Sequence, residues 1–219
     1  MTLTFIDLYN KITGQAWSMF DGDVESQEEF ETNVTTSIQK ALSDLWGKYP
    51  YPFKIKTKTL KTKIGNTRYS TPNGTISKKN NKYNVKFNNE YLEYNEDIEE
   101  LDQTITGEVK YFNVENDNFI IYPIPDKIYT IYIDYETLFP CCNKDGTTKA
   151  TLENADDYID IPAKYEELFK NALMTLAMTY LIASDSDENF SQYKAQAQTA
   201  YERLIKATKS IKKDKRITY

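Results

Sequence analysis

Hydrophobic positions along this chain change their period twice. From Thr4 to Gln15 the apolar residues Phe5, Leu8, Tyr9 and Ile12 fall at helical spacing and predict a short amphipathic helix. Phe20-Asp21-Gly22-Asp23 reads as a turn. Ser26-Gln27-Glu28-Glu29 has the form of a capping box, a Ser at the cap and a Glu three residues on. It opens a strongly periodic helix with Phe30, Val34, Ile38, Ala41, Leu42 and Leu45 on one stripe, closed by Trp46 and Gly47.

Tyr49-Pro50-Tyr51-Pro52-Phe53 breaks that helix and begins extended chain. Lys54 to Lys63 alternates Lys and Thr around Ile55 and Leu60, which predicts a solvent-facing strand. Gly65-Asn66 and Pro72-Asn73-Gly74 are turn signals. Tyr83–Phe87 and Glu108–Phe112 read as short strands, each with one apolar face. Phe119-Ile120-Ile121-Tyr122 is apolar enough for a buried or half-buried strand. Pro123-Ile124-Pro125-Asp126 follows as a turn. Lys127 to Tyr135 then sets Ile131 and Ile133 on one face and Tyr132 and Asp134 on the other, completing a strand–turn–strand unit. About six strands between 52 and 138 suffice for a small barrel or sandwich.

The helical period then returns. Leu138 to Asp157 reads as a polar loop holding Cys141-Cys142 and Asp145-Gly146. Tyr158-Ile159-Asp160-Ile161-Pro162 leads into a third helix, because Pro162 pre-sets the first turn. Leu168, Phe169, Ala172, Leu173, Leu176, Ala177, Tyr180 and Leu181 give that helix a broad apolar face. Asp185-Ser186-Asp187-Glu188 looks like the start of a calcium loop. Phe190 stands where such a loop needs Gly and Gln196 where it needs Glu, so a helix-capping turn is the reading kept. Tyr193, Ala197, Ala200, Tyr201, Leu204 and Ile205 mark a fourth helix, pairing with the third as an antiparallel hairpin across a short connection. Beyond Ile211 no apolar stripe continues.

The fold class expected is therefore α+β: two N-terminal and two C-terminal helices with an inserted antiparallel β domain. Residues 1–48 supply the first helices, 49–140 the insertion, 141–208 the helical hairpin and 209–219 an extended basic tail.

Composition narrows the function. The 219 residues carry a net charge of −6, against a nucleic-acid binder relying on overall positive charge. Lysine outnumbers arginine 24 to 3, and tyrosine, with 18 copies, is abundant; an AT-rich coding sequence explains both. The chain lacks an 18-residue apolar run and its start does not read as a signal peptide, so synthesis in the cytoplasm and no membrane partner are expected. With no histidine and only the adjacent Cys141 and Cys142, neither a zinc site nor His-based catalysis is expected. Glycine-rich phosphate loops are missing too. Glu96, Asp97, Glu99, Glu100 and Asp102 offer paired carboxylates for a glycosidase or metal site, but acids so close in sequence read as a solvated loop. Arg68-Tyr69 and Lys82-Tyr83 interleave base-stacking residues without an RNA-binding signature. No catalytic residue, metal or cofactor is assigned, and an enzyme is not expected.

Charge is segregated within the insertion. Eleven Lys or Arg and no acid lie between Leu45 and Asn89, then seven Asp or Glu and no base between Glu90 and Gln103. Two solvated faces of one sheet is one reading. The other is an assembly in which one subunit's basic face, with Lys54, Lys56, Lys58 and Lys61, meets its neighbour's Glu96, Asp97, Glu99 and Glu100. The basic end of the chain, Lys206 to Arg216 with Ile217 and Tyr219, reads either as a solvated tail or as an arm that orders on a partner.

Taken in order, Leu45-Trp46 through Pro50-Tyr51-Pro52-Phe53, then Tyr122-Pro123-Ile124-Pro125-Asp126, then Ile159-Asp160-Ile161-Pro162 with its apolar helix, the chain resembles the head-to-tail adaptor (connector) proteins of short-tailed, podovirus-type phages, the family that includes tail tubular protein A. The likeness spans nearly the whole chain; each motif alone is loose, and the order gives it weight. The AT-rich composition would suit a crAss-like phage ring protein. Two features depart from the pattern. Tyr51 stands where the Pro-flanked entry typically holds Trp, and the acidic stretch from Glu90 to Thr106 is long, so the loops of the β domain cannot be carried over.

The resemblance implies a virion protein at the head–tail junction: a late-assembling ring of twelve copies beneath the portal, continuing the DNA ejection channel to the tail. The partners it implies are the portal protein, other tail or ring proteins, further copies of the chain, and transiting double-stranded DNA that is not specifically bound. It assigns portal docking to the C-terminal segment, here Lys212, Lys213, Lys215, Arg216, Ile217 and Tyr219. A rival from another class is a tail-associated or surface β-domain protein that stacks glycans on its tyrosines.

Overall fold

The computed structural model describes residues 3–17, 26–182 and 187–214. The predicted turn at Phe20–Asp23 and residues 185 and 186 of the capping turn lie outside them. The fold is α+β, four helices with several antiparallel sheets. It divides into two compact units: the described residues up to Phe53 together with those from Phe139 onward, and Lys54–Leu138.

The first unit is helical. α1 (Phe5–Trp17) buries Leu8, Ile12 and Ala16, and Thr4 caps it by accepting from the Asp7 N–H at 3.3 Å. α2 (Gln27–Lys48) starts at Ser26, whose Oγ accepts from the Glu29 N–H at 3.1 Å. Its buried stripe is the predicted one, extended by Ser37 and Trp46. α3 (Ala163–Ile182) begins directly after Pro162 and is followed across a four-residue connection by α4 (Asp187–Asp214). Leu204 and Ala197 of α4 are buried against the same core. Only side chains before Ser210 and after Glu188 are described in α4, but its backbone is helical to Asp214. Residues 209–214 of the expected extended tail are therefore helical, and 215–219 lie outside the described residues.

Tyr49, Tyr51 and Phe53, assigned to the insertion on sequence, pack instead with the helices. Tyr51 stacks on Phe53 at 4.9 Å between ring centroids, and Trp46, Tyr165 and Phe169 surround the pair. The proline-flanked aromatics thus form a core cluster where α2 gives way to extended chain, each large ring burying substantial apolar surface.

The segment expected as a polar loop holds a small sheet. Cys141–Cys142 pairs antiparallel with Thr148–Lys149 on one side and Tyr158–Ile159 on the other. Both thiols are buried rather than lying in a loop, and burial pushes that of Cys141 up to about 12. Asp157 anchors the connection. Its Oδ2 accepts from Lys149 Nζ at 2.7 Å and from the Glu153 and Asn154 amides at 2.7 and 2.8 Å. Burial raises its pKa, but the Lys149 and amide hydrogen bonds outweigh that and hold it at about 2. The Asp157 carbonyl also accepts from the Phe5 N–H at 2.8 Å, seating the start of α1.

The second unit is built on two sheets. In the first, Thr130–Thr137 is central, pairing antiparallel with Ile55–Lys61 on one side and with Val85–Phe87 and Gly74–Ile76 on the other; Glu90–Tyr91 extends it beyond Val85–Phe87. In the second, Asn118–Tyr122 lies between Arg68–Ser70 and Tyr111–Glu115, and Glu93–Tyr94 adds in parallel. Leu60, Val85, Ile131 and Ile133 from the first sheet and Phe112, Phe119 and Ile121 from the second share one core. Asn118–Tyr122 is buried on both faces, because Ile120 and Tyr122 pack with Ile98 behind it. The two strands flanking Pro123 exist as predicted but do not pair with each other; each is central to a different sheet.

Candidate interaction surfaces

The predicted contact lysines fall into two groups. Ile55–Lys61 alternates so that Lys56, Lys58 and Leu60 share the face toward the core, and Ile55, Thr57, Thr59 and Lys61 the other. Lys58 Nζ reaches the second sheet, donating to Ser70 O at 2.8 Å and Thr71 O at 3.1 Å, and its burial lowers its pKa. Lys54 is itself buried, and burial lowers its pKa while Glu136, at 3.9 Å, pulls it back. These two cations are spent inside their own chain. Lys56 is half-buried and Lys61 exposed.

The acidic segment is an ordered loop. Ile98 is its buried anchor, within a short 3-10 turn over Ile98–Glu100. Asn95 Oδ1 accepts from the Asp97 N–H at 2.9 Å, and Gln103 Nε2 donates to the Ile98 and Leu101 carbonyls. Asp102 accepts from the Thr104 hydroxyl and amide, which lower its pKa. Glu99 pairs with Arg68 of the same chain, both groups half in solvent, a geometry worth at most about 1 kcal/mol. Glu96, Asp97 and Glu100 are exposed. Within the chain, Glu99 pairs with Arg68 rather than with a predicted contact lysine.

Of the predicted portal-docking residues, Lys212 and Lys213 lie on the last turn of α4. Lys215, Arg216, Ile217 and Tyr219 fall outside the described residues.

One feature escaped sequence reasoning. A cleft of about 440 Å³ opens between α2, α3 and α4, floored by Leu45, Ala172, Leu176 and Ala197. At its rim Tyr180 donates to Asp44, and Lys40 Nζ sits 4.3 Å from the Tyr180 ring centre. Burial, then the Asp44 hydrogen bond, raises the phenol to about 12. Asp44 and Tyr180 are 136 positions apart, and no local spacing announces the pair. Among the described residues no group of three or more Cys, Asp or Glu is placed to hold a metal ion, and no helix is long and apolar enough to cross a membrane.

A family model described as SU10 adaptor protein matches residues 7–217. The chain belongs to the SU10 adaptor protein family. Membership covers α1 through the end of α4 and supports a phage adaptor, a structural component of the virion. No curated protein matches the chain.

Proposed function

We propose that this SU10-family adaptor is the head-to-tail connector of a short-tailed phage. Twelve copies form a ring beneath the portal and continue the DNA channel toward the tail, with no catalytic step and no cofactor. The observation that carries the reading is the family match over 7–217, nearly the full chain. A crAss-like ring protein is the narrower form of the same reading, favoured by the AT-rich composition. The net charge of −6 suits a conduit that lets DNA pass without gripping it. Segregated charge suits a head-to-tail contact between different faces of identical subunits, with Lys61 and the acids Glu96, Asp97 and Glu100 exposed for it.

Portal docking is assigned to the basic end: Lys212 and Lys213 on the last helical turn, then Lys215, Arg216, Ile217 and Tyr219. Thr208 is buried, so removing residues 212–219 takes nothing from the described core. That deletion is expected to abolish co-sedimentation with the portal while the melting temperature holds. Undiminished binding contradicts the assignment.

A further inference from the structure

The first sheet of the β unit ends in two edges of opposite charge. Its order runs Ile55–Lys61, Thr130–Thr137, Val85–Phe87, Glu90–Tyr91. Ile55–Lys61 is seven residues long, contains no proline and pairs one-to-one with 130–136 without a bulge. In the same register the Thr62 N–H donates to Tyr129 O at 2.8 Å, so Thr62, Leu60, Lys58 and Lys56 direct their backbone groups at the central strand. Ile55, Thr57, Thr59 and Lys61 therefore direct theirs outward. The bond from Asp134 N–H to Asn84 O, on the other side of the central strand, obeys the same alternation. Among the described residues no strand covers this rim.

Long open edges are usually guarded by lysines pointing into the space a new strand would occupy. Here Lys54 is buried and Lys58 is tied to Ser70 and Thr71, so half of the lysine row does not guard it.

At the opposite edge, the Leu92 N–H donates to Val85 O at 2.9 Å. One residue back, Tyr91 must direct its own N–H and C=O outward. Glu90 precedes it, and both are exposed; two residues on, the Glu93 N–H donates to Lys110 O at 3.0 Å as the chain joins the second sheet, so the free part of this edge is Glu90–Tyr91. The sheet is antiparallel from end to end, so the two edges run in opposite directions. A second copy set beside the first by simple translation presents its Glu90–Tyr91 edge antiparallel to the Ile55–Lys61 edge, with matching faces on the same side. Pairing two Ile55–Lys61 edges about a two-fold axis at Thr57 would instead set Lys56 against Lys58, and any two-fold pairing brings two basic edges together, which is destabilising.

We propose that this sheet continues from one copy of the chain to the next, the outward backbone of Thr57, Thr59 or Lys61 pairing with Tyr91 of the neighbouring copy, so that a basic edge meets an acidic one. The proposal rests on the ring reading above and specifies its interface. Thr59 stands opposite Tyr132, Tyr132 opposite Lys86 and Lys86 opposite Tyr91, so Thr59 and Tyr91 lie on the same face and their side chains meet across such a junction.

Disulfide trapping tests it. Both native cysteines are buried, so introduced ones are the reactive thiols. The full chain carrying Tyr91→Cys with Thr57→Cys, Thr59→Cys or Lys61→Cys is mixed with the portal assembly of its own virion, oxidised and resolved without reductant. The expected result is a ladder of covalent multimers from one of the three pairs, and only monomer from each single cysteine. Rings visible by microscopy with no ladder from any pair overturn the edge pairing and leave the ring reading standing. Covalent dimers from Thr59→Cys alone overturn it in favour of two-fold pairing. No ring from the unaltered chain removes the ring reading itself, and the edge pairing with it. As a second variant, Thr59→Pro deletes one outward N–H and no bond within the chain. It is expected to keep its melting temperature and lose the ring; an intact ring contradicts the proposal.

Discussion

Asp157 is the residue on which the turn before α3 depends. A buried carboxylate is costly unless it is paired and hydrogen-bonded, and here one lysine and two amides converge on its Oδ2. Its folded pKa of about 2 lies below the ordinary value near 4. The stabilisation is thus complete above about pH 4 and is lost as pH falls toward 2, on the order of 2 kcal/mol in all. Asp157→Asn is expected to lower stability by about that amount and to flatten the acid limb of the stability–pH curve between pH 4 and 2, measured by urea unfolding. An unaltered acid limb would count against this account. Cys141 makes a second residue-scale prediction. With its thiol held near 12 by burial, the folded chain is expected to resist a thiol reagent at pH 8 and to react once unfolded. Neither role was legible in the sequence. Asp157 sits among other polar residues, and its partners are set by a turn geometry that composition does not encode. The asparagines were legible in principle: Asn80-Asn81, Asn88-Asn89 and Asn116-Asp117 each hold two successive left-handed residues, as a tight hairpin turn requires.

At the scale of elements, the sequence was clearest where periodicity was long. α2 was legible to its cap, and Ser26→Ala is expected to cost about 1 kcal/mol in thermal or urea unfolding; a change near zero would mean the Ser26 bond to the Glu29 amide contributes nothing. α3 and α4 were legible from their apolar faces, and Leu204, fully buried, is expected to cost about 3 kcal/mol when cut to Ala. Two-residue strands such as Cys141–Cys142 and Thr148–Lys149 carry no period to read, and so that segment passed for loop. Gly74 shows the same limit: a Cβ there would sit 2.1 Å from Glu136 O, a close approach visible only in the folded sheet. Pairing was the weakest inference. The strands around Pro123 have the right length and pattern for a hairpin, yet their partners lie as far away as Ile55–Lys61 and Arg68–Ser70. Alternation gives a strand's faces but not its neighbours.

At the scale of the molecule, the order of elements carried more information than any motif, and the family match over 7–217 agrees with it. The contact residues fared less evenly. Lys54 and Lys58 looked like surface lysines because lysine usually is one, but a long aliphatic stem lets the ammonium reach a carbonyl on the second sheet. The central claim is a ring of identical subunits seated on the portal. Electron microscopy of the full chain mixed with the portal of its own virion tests it most directly. A ring capping the portal with twelve-fold symmetry is the predicted image; unattached single copies at high concentration would contradict it.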